Sequence, residues 1–246
     1  MKVYGIIGYP LGHSFSQKYF TEKFVTEGIS DCSYKIFAIK SVDGLKDVLI
    51  QNPDLKGFNI TIPHKQSILS LLDDTTKLPQ NLHACNCIKI INGKLIGYNT
   101  DVIGFEETLL SQLKSHHTKA LILGNGGAAE AVKFVLNKLN IVFKIVSRKL
   151  HDGSDLTYAD ITERIIGDNL LIINTTPLGT FPDVEECPAI PYQYLTAQHF
   201  LYDLVYNPPK TLFLKKGEEY GAAIKNGYDM LVIQAEESWR IWNEEN

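Results

Sequence analysis

Short apolar runs alternate along this chain with segments whose apolar residues recur at helical spacing. Val3–Gly8 is a near-continuous apolar run of strand length, and Ser16–Glu27 sets Phe20 and Phe24 on one face of a helix. The alternation continues with a strand at Tyr34–Ile39, a helix at Val42–Ile50, a strand at Gly57–Ile62 and a helix after Pro63. Ile88–Ile91 and Lys94–Tyr98 flank Asn92-Gly93, a pair that closes a tight hairpin. A helix is predicted from Asp101 to Lys114, then a strand at Ala120–Leu123 and a helix opening at Ala128-Ala129-Glu130. Further strands are predicted at Phe143–Val146, Leu170–Asn174, Phe200–Leu204 and Ala222–Ile224, and a last helix at Met230–Trp242. Repeated β–α alternation of this kind points to an α/β fold in which helices cover open sheets.

With 246 residues the chain has room for two domains. The polar stretch Ser115-His116-His117 lies close to a junction, and the division is set at 1–101 and 102–228, with 229–246 returning to complete the first domain. There is no internal repeat and no low-complexity tract.

Composition narrows the function classes. Hydrophobic residues at 44% and charged residues at 21% suit an ordinary globular protein. A formal net charge of -4, with no clustering of Lys and Arg, argues against nucleic acid as a partner. No apolar run is long enough for a membrane helix, and glycines and prolines interrupt the N-terminal apolar stretch too early for a signal peptide, so a cytoplasmic location is expected. The cysteines are Cys32, Cys85, Cys87 and Cys187; no His/Cys pair matches Cys85 and Cys87 at zinc-site spacing, so neither a metal site nor a disulfide is expected.

The sharpest chemical signal is Gly124-x-Gly126-x-x-Ala129, between an apolar strand and a helix. In that setting small residues permit a tight turn, a close approach of backbone N–H groups to a pyrophosphate, and close packing of helix on strand. The helix N-terminus adds favourable potential for phosphate. A plain glycine turn is the alternative, and the strand–turn–helix order favours the nucleotide. At the end of the next strand Ser147-Arg148-Lys149 offers two cations and no acid. Such a set suits a ribose 2′-phosphate, and so NADP, better than the free hydroxyl of NAD.

In the first half, Asn59 and Thr61 share one face of a strand end, and Lys65 lies just beyond, where ligands of open α/β sheets sit. Asp101 ends the segment Gly97-Tyr98-Asn99-Thr100-Asp101, where either Thr100 or Asp101 also suits a helix cap. Ser14 and Ser16 can bind an anion or cap a helix. Nothing near His13 or His64 orients an imidazole, and both stay unassigned.

Taken in order, Gly8-Tyr9-Pro10-Leu11-Gly12-His13-Ser14-x-Ser16, Asn59-Ile60-Thr61-Ile62-Pro63-His64-Lys65, Cys85-Asn86-Cys87, Gly97-Tyr98-Asn99-Thr100-Asp101, the Gly124 loop, Ser147-Arg148-Lys149, Asn174-Thr175-Thr176-Pro177-Leu178-Gly179, the segment from Asp203 to Thr211 and the segment from Asn226 to Trp239 resemble the shikimate dehydrogenase family from end to end. The resemblance implies an N-terminal α/β substrate-binding and catalytic domain, a Rossmann-type doubly wound NADP-binding domain, and a C-terminal helix returning to the first. It implies NADPH-dependent, reversible reduction of 3-dehydroshikimate to shikimate in the aromatic amino acid (chorismate) pathway, by a monomer or homodimer. Position by position, it implies Lys65 and Asp101 as the catalytic pair and Ser14 and Ser16 at the substrate carboxylate. It implies Asn59, Thr61, Asn86 and Gln234 at the ring hydroxyls, with Tyr206 also at the substrate. Gly124, Asn125, Gly126, Gly127, Ala128, Ser147, Arg148, Lys149, Thr175, Leu204 and Gly227 would line the NADP site. Three departures stand out. Cys87 replaces a hydroxyl beside Asn86, Ser147-Arg148-Lys149 stands for the usual Asn-Arg-Thr with the Arg kept, and the stretch between Lys149 and Leu171 looks trimmed of helix and strand. The alternatives are a quinate/shikimate dehydrogenase and a non-catalytic NADP-binding regulator on the same fold; retention of both Lys65 and Asp101 favours the enzyme.

Overall fold

The structure is a computed structural model that describes residues 1–11, 14–150 and 153–244. His13 lies outside the described residues. The chain divides into two compact units, Met1–Thr100 with Gln234–Asn246, and Asp101–Ile233. The end of the chain thus belongs with its beginning, while Asp101 falls in the second unit rather than the first.

The first unit holds β1 (Lys2–Gly8), α1 (Phe15–Thr26), β2 (Cys32–Ala38), α2 (Leu45–Gln51), β3 (Leu55–Ile60), β4 (Cys87–Ile91) and β5 (Lys94–Tyr98). Its sheet runs β2-β1-β3-β4-β5, with β1, β2 and β3 parallel and β4 and β5 antiparallel. The carboxyl ends of β1, β2 and β3 therefore share an edge with the start of β4 and the end of β5. On one face Phe58, Ile60, Ile68 and Ile88 form a buried core. On the other, Tyr4, Phe20, Phe24 and Tyr34 meet Ala235, Ile241 and Trp242 of α7 (Tyr228–Asn243).

Two helices differ from their expected extent. In place of a helix after Pro63 there is a turn and a 3-10 segment, Ser67–Leu71. Here the Ser67 and Ser70 hydroxyls donate to the carbonyls of His64 and Ser67, competing with helical bonds. The N–H groups of Asp73 and Asp74 then bind the Leu95 carbonyl and tie the segment to β5. In the second unit α3 (Asp101–Leu110) stops short of Lys114, whose N–H is taken by Nδ1 of His117 at 3.0 Å.

The second unit continues with β6 (Lys119–Leu123), α4 (Gly127–Lys138), β7 (Val142–Ser147), β8 (Leu156–Thr157), α5 (Glu163–Asp168), β9 (Leu171–Asn174), β10 (Phe200–Asp203), α6 (Leu212–Glu219) and β11 (Ala223–Lys225). Its strands are parallel in the order β11-β10-β9-β6-β7-β8, a doubly wound Rossmann-type sheet whose order reverses between β6 and β9. Leu121, Ile122, Ile172, Ile173 and Leu201 are fully buried, as strands covered on both faces require. The trimmed stretch survives as the two-residue β8 and the short α5; residues 148–155 carry no helix among those described. Asp155 secures that edge by accepting from the Ile145 N–H at 2.7 Å.

At the carboxyl edge of this sheet sits a buried carboxylate. Asp203 accepts from Asn174 Nδ2 at 2.9 Å, the Val205 N–H at 3.0 Å and Thr211 Oγ1 at 2.5 Å, joining the ends of β9 and β10 to the cap of α6. Burial outweighs these three donors and pushes its pKa from 3.8 up to about 6. The folded state therefore binds the Asp203 proton more tightly than the unfolded chain. This contribution to stability is complete below 3.8 and lost as pH rises through about 6. Asp203→Asn removes the titration, so wild type should gain stability on the variant as pH falls from 7 to 4.5, by at most ~1.4 kcal/mol per pH unit. His117 and His199, whose pKa values burial lowers, act in the opposite sense but equally in both proteins. Thermal unfolding of the pair across that pH range is the check; a difference independent of pH would contradict the assignment.

Candidate active site

In the first unit the strand-end segments are stitched together by backbone bonds. The Ile60 N–H donates to the Asn86 carbonyl at 2.8 Å, the Cys85 N–H to the Lys65 carbonyl at 2.8 Å, and the Asn86 N–H to the Tyr98 carbonyl at 3.2 Å. Asn99 Nδ2 adds a bond to the Ala84 carbonyl at 2.9 Å. The Thr61–Lys65 turn, the 84–86 segment and the 98–100 segment thus lie side by side at one edge of the sheet. Lys65 is partly exposed there. His64 beside it is buried and turns away, with Nε2 2.7 Å from the Ile39 carbonyl, a structural contact to the end of β2.

Above this edge lies a buried network of amides and hydroxyls. Asn86 Oδ1 accepts from the Thr100 N–H at 2.7 Å, and Asn86 Nδ2 donates to Thr100 Oγ1 at 3.0 Å. Thr100 Oγ1 lies 3.5 Å from Gln234 Oε1 and 3.3 Å from Ser238 Oγ. Asn59 Oδ1 accepts from the Tyr34 hydroxyl at 2.8 Å, and Asn59 Nδ2 donates to Ser238 Oγ at 2.9 Å and to the Asn86 carbonyl at 3.3 Å. The Tyr34 hydroxyl is held well above its ordinary pKa by burial, opposed by the Ser16 hydroxyl, which places Ser16 beside this set. Asn59, Asn86, Gln234 and Ser16 are thereby gathered in one unit, and Thr61 follows the end of β3, the strand that carries Asn59. Ser14 caps α1, its hydroxyl accepting from the Gln17 N–H at a long 3.4 Å.

Two expected site residues fall in the other unit. Asp101, buried, opens α3 immediately after Thr100, and Tyr206 follows β10, half-buried, its hydroxyl raised by that burial. Sequence reasoning gave no site role to Tyr34, to Ser238 or, beyond a helix cap, to Thr100, and these three carry the network. Cys87, where a hydroxyl was expected, packs fully buried among the aromatic residues, and burial pushes its thiol up.

In the second unit the glycine turn stands where the strand order reverses. Gly124 has φ +103, and a Cβ there would lie 2.8 Å from Thr175 Oγ1 and 2.9 Å from Thr176 Cγ2. Thr175 in turn donates its hydroxyl to the Leu123 carbonyl at 2.9 Å, fixing the approach of the two loops. Gly126 caps α4 with no side-chain bond to the first turn and with open space about it; Gly127 and Ala128 form that turn, and Ala129 is fully buried where helix meets sheet. Asn125 is held by its Nδ2 bond to the Gly153 carbonyl at 3.0 Å. Ser147 is buried and donates to the Lys149 carbonyl at 2.5 Å, shaping a turn that leaves Arg148 and Lys149 exposed. Gly227 admits close passage of the Leu204 carbonyl, 2.2 Å from where a Cβ would stand. The expected cofactor residues therefore line the carboxyl edge of one parallel sheet, and the open, uncapped turn suits a pyrophosphate.

Comparison with known proteins adds an independent finding. Residues 6–88 match the family model described as the shikimate dehydrogenase substrate binding domain. A shikimate dehydrogenase (NADP+) of Methanococcus maripaludis is 39% identical over 98% of this chain and 91% of its own length. Among solved structures, a shikimate dehydrogenase in complex with NADP+ superposes with TM-score 0.84 at 31% identity, over 99% of this chain and 90% of that one. Another from Thermus thermophilus, in complex with NADP(H) and shikimate, gives TM-score 0.84 at 26% identity, over 99% and 94%.

The glycine turn generates a direct test. Gly124→Ala places a side chain at positive φ against Thr175 and should cost about 1–3 kcal/mol of stability. Gly126→Ala, at φ -92 with open space, should cost clearly less. Denaturant unfolding of both variants measures the contrast, and equal effects would mean that the Gly124 conformation is not what the turn requires.

Proposed function

The chain belongs to the shikimate dehydrogenase family, and we propose that it interconverts 3-dehydroshikimate and shikimate with NADP(H), using Lys65 and Asp101 for proton traffic. The observation that carries this reading is the buried amide–hydroxyl network on Asn59, Asn86, Thr100 and Gln234, gathered beside the Lys65 turn. A polyhydroxylated acid needs several fixed hydrogen bonds and an anion site, and sites built this way strongly reject analogues that lack a hydroxyl. Asn59, Thr61, Asn86 and Gln234 take the ring hydroxyls, with Tyr206 at the substrate as well, and Ser14 and Ser16 take the carboxylate.

The second unit fits NADP by the same reasoning. A side chain at Gly124 would fill the cradle, the uncapped turn Gly126–Ala128 presents its N–H groups, and Arg148 and Lys149 stand exposed to pair with a 2′-phosphate. Asn125, Gly127, Ser147, Thr175, Leu204 and Gly227 shape this edge. When bound, the nicotinamide supplies hydride chemistry. The chain supplies orientation and the proton. Lys65 holds the proton destined for the substrate oxygen on reduction and receives it on oxidation, and Asp101 orients the ammonium and accepts from the hydroxyl. We place this activity in the cytoplasm, on a small-molecule substrate without nucleic acid or membrane as partner, in a monomer or homodimer. No helix among the described residues is long and apolar enough to cross a membrane.

The reading is tested by following absorbance at 340 nm with shikimate or quinate, each with NADP or NAD. Activity should be highest with shikimate and NADP; absence of activity on shikimate with either cofactor would overturn it. Arg148→Ala should weaken NADP binding by roughly tenfold or more while sparing NAD, since a charge-assisted bond to phosphate contributes about 1.5–3 kcal/mol. Equal losses for both cofactors would make Arg148 structural. Lys65→Ala should lower kcat by about 10²–10⁴-fold with a far smaller change in KM. A raised KM at near-normal kcat would instead make Lys65 a binding residue.

A further inference from the structure

Ser238 is fully buried, so it touches no substrate, yet its hydroxyl sits at the centre of the network. Its hydrogen is committed to the Gln234 carbonyl at 2.8 Å. Its lone pairs face Asn59 Nδ2 at 2.9 Å and Thr100 Oγ1 at 3.3 Å. These partners match the one donor and two acceptor positions of a serine hydroxyl, and the Cys87 thiol also lies within its reach. Asn59 is similarly bound: both amide hydrogens are spent, on Ser238 Oγ and the Asn86 carbonyl, and Oδ1 accepts from Tyr34. Reversing the amide would set its NH₂ against the Tyr34 hydroxyl and its oxygen against the Asn86 carbonyl, losing a bond and creating a repulsion. The orientation of Asn59 is therefore dictated by its partners Tyr34, Asn86 and Ser238, all from other parts of the sequence.

We propose that Ser238 and Tyr34 are positioning residues that lock the Asn59 amide so that it meets the substrate as a hydrogen-bond acceptor. This rests on the reading above that Asn59 belongs to the substrate site. The polarity follows from the count: with both N–H groups committed, only the remaining lone pair of Oδ1 is left to face a ligand. The group opposite must then be a donor, a hydroxyl rather than a carbonyl or ether oxygen. Ser238 also explains how the site accommodates Cys87. The thiol lies beside the Ser238 hydroxyl in the aromatic core, and the hydroxyl missing from position 87 is present on the facing helix.

The test uses the full-length enzyme with Ser238→Ala, Tyr34→Phe and the double variant. Tyr34→Phe keeps the ring that stacks on Phe20 at 4.6 Å, so it should fold even if Ser238→Ala does not. Each single change should raise KM for shikimate about 3- to 10-fold, the worth of one hydrogen bond, with a smaller effect on kcat and unchanged NADP affinity. Because both act through one amide, the double variant should lose less than the product of the single effects. Ser238→Ala that unfolds leaves the KM of Tyr34→Phe to decide. Variants that lower melting temperature but keep the wild-type KM, or single effects that multiply fully, would overturn the proposal and make both residues merely structural. An inactive wild-type enzyme would instead refute the function proposed above, so the two failures are distinguishable.

Discussion

The register of one tryptophan on a sheet governs where the buried polar residues of α7 stand. Trp242 lies against Gly57 so closely that a Cβ there would be 2.4 Å from the indole, and its Nε1–H donates to the Ile88 carbonyl at 2.9 Å. Its ring stacks on Tyr4 at 4.9 Å between centroids. Gln234, Ser238 and Trp242 fall on one stripe of α7, a turn apart from each other. An anchor at the far end therefore fixes the two polar residues nearer the site. The magnitudes support this order of cause. Burying a large aromatic side chain removes about 150–250 Å² from water, worth roughly 4–6 kcal/mol at ~25 cal/mol per Å². A single hydrogen bond nets only about 0.5–1.5 kcal/mol. The indole places the helix, and the hydrogen bonds then orient what the helix carries.

The second unit solves the same problem without an aromatic anchor. Its central strands β6 and β9 are apolar and fully buried along most of their length, and their ends at the carboxyl edge open onto polar loops. There, close backbone approaches set position. Gly124 lets the loops after β6 and β9 meet at Thr175, and Gly227 lets the entry to α7 pass the end of β10. Asn174, Asp203 and Thr211 tie the strand ends from below, so that the loops above them are held to a frame that cannot slide.

Much of this is legible in the sequence because most strands are short apolar runs and the Gly124–Gly127 turn stands at a strand–helix junction. The misreadings have local causes. The helix after Pro63 fails because two serines bind carbonyls three residues back, and α3 ends early because a histidine ring captures a backbone N–H that the helix would need. Asp101 reads as part of the first half because it follows the hairpin directly, yet it is the first residue of a helix belonging to the second unit. Tyr34, Ser238 and the network role of Thr100 are hidden for another reason. A tyrosine in a strand, a threonine before a helix and a serine on an amphipathic helix are each ordinary, and only pairings across 25 to 179 residues of sequence reveal them. The available hint is geometric: Ser238 shares a helical stripe with Gln234 and Trp242.

The chemistry of that network also explains why it is built from neutral groups. Asp203 shows what a buried carboxylate meets in this protein: even with three donors, burial drives its pKa up to about 6, so its charge, and hence its hydrogen-bonding character, changes near neutral pH. An amide has no such transition. Asn59 and Asn86 keep the same donors and acceptors whatever the pH, and the partners that orient them, a phenol pushed upward by burial and two aliphatic hydroxyls, do not ionise in that range either. A site that must distinguish a hydroxyl from a ketone oxygen gains from this constancy, because the polarity it presents is set by connectivity alone. Charge is then reserved for the residues assigned to move the proton, and the surrounding reading frame does not change when they do.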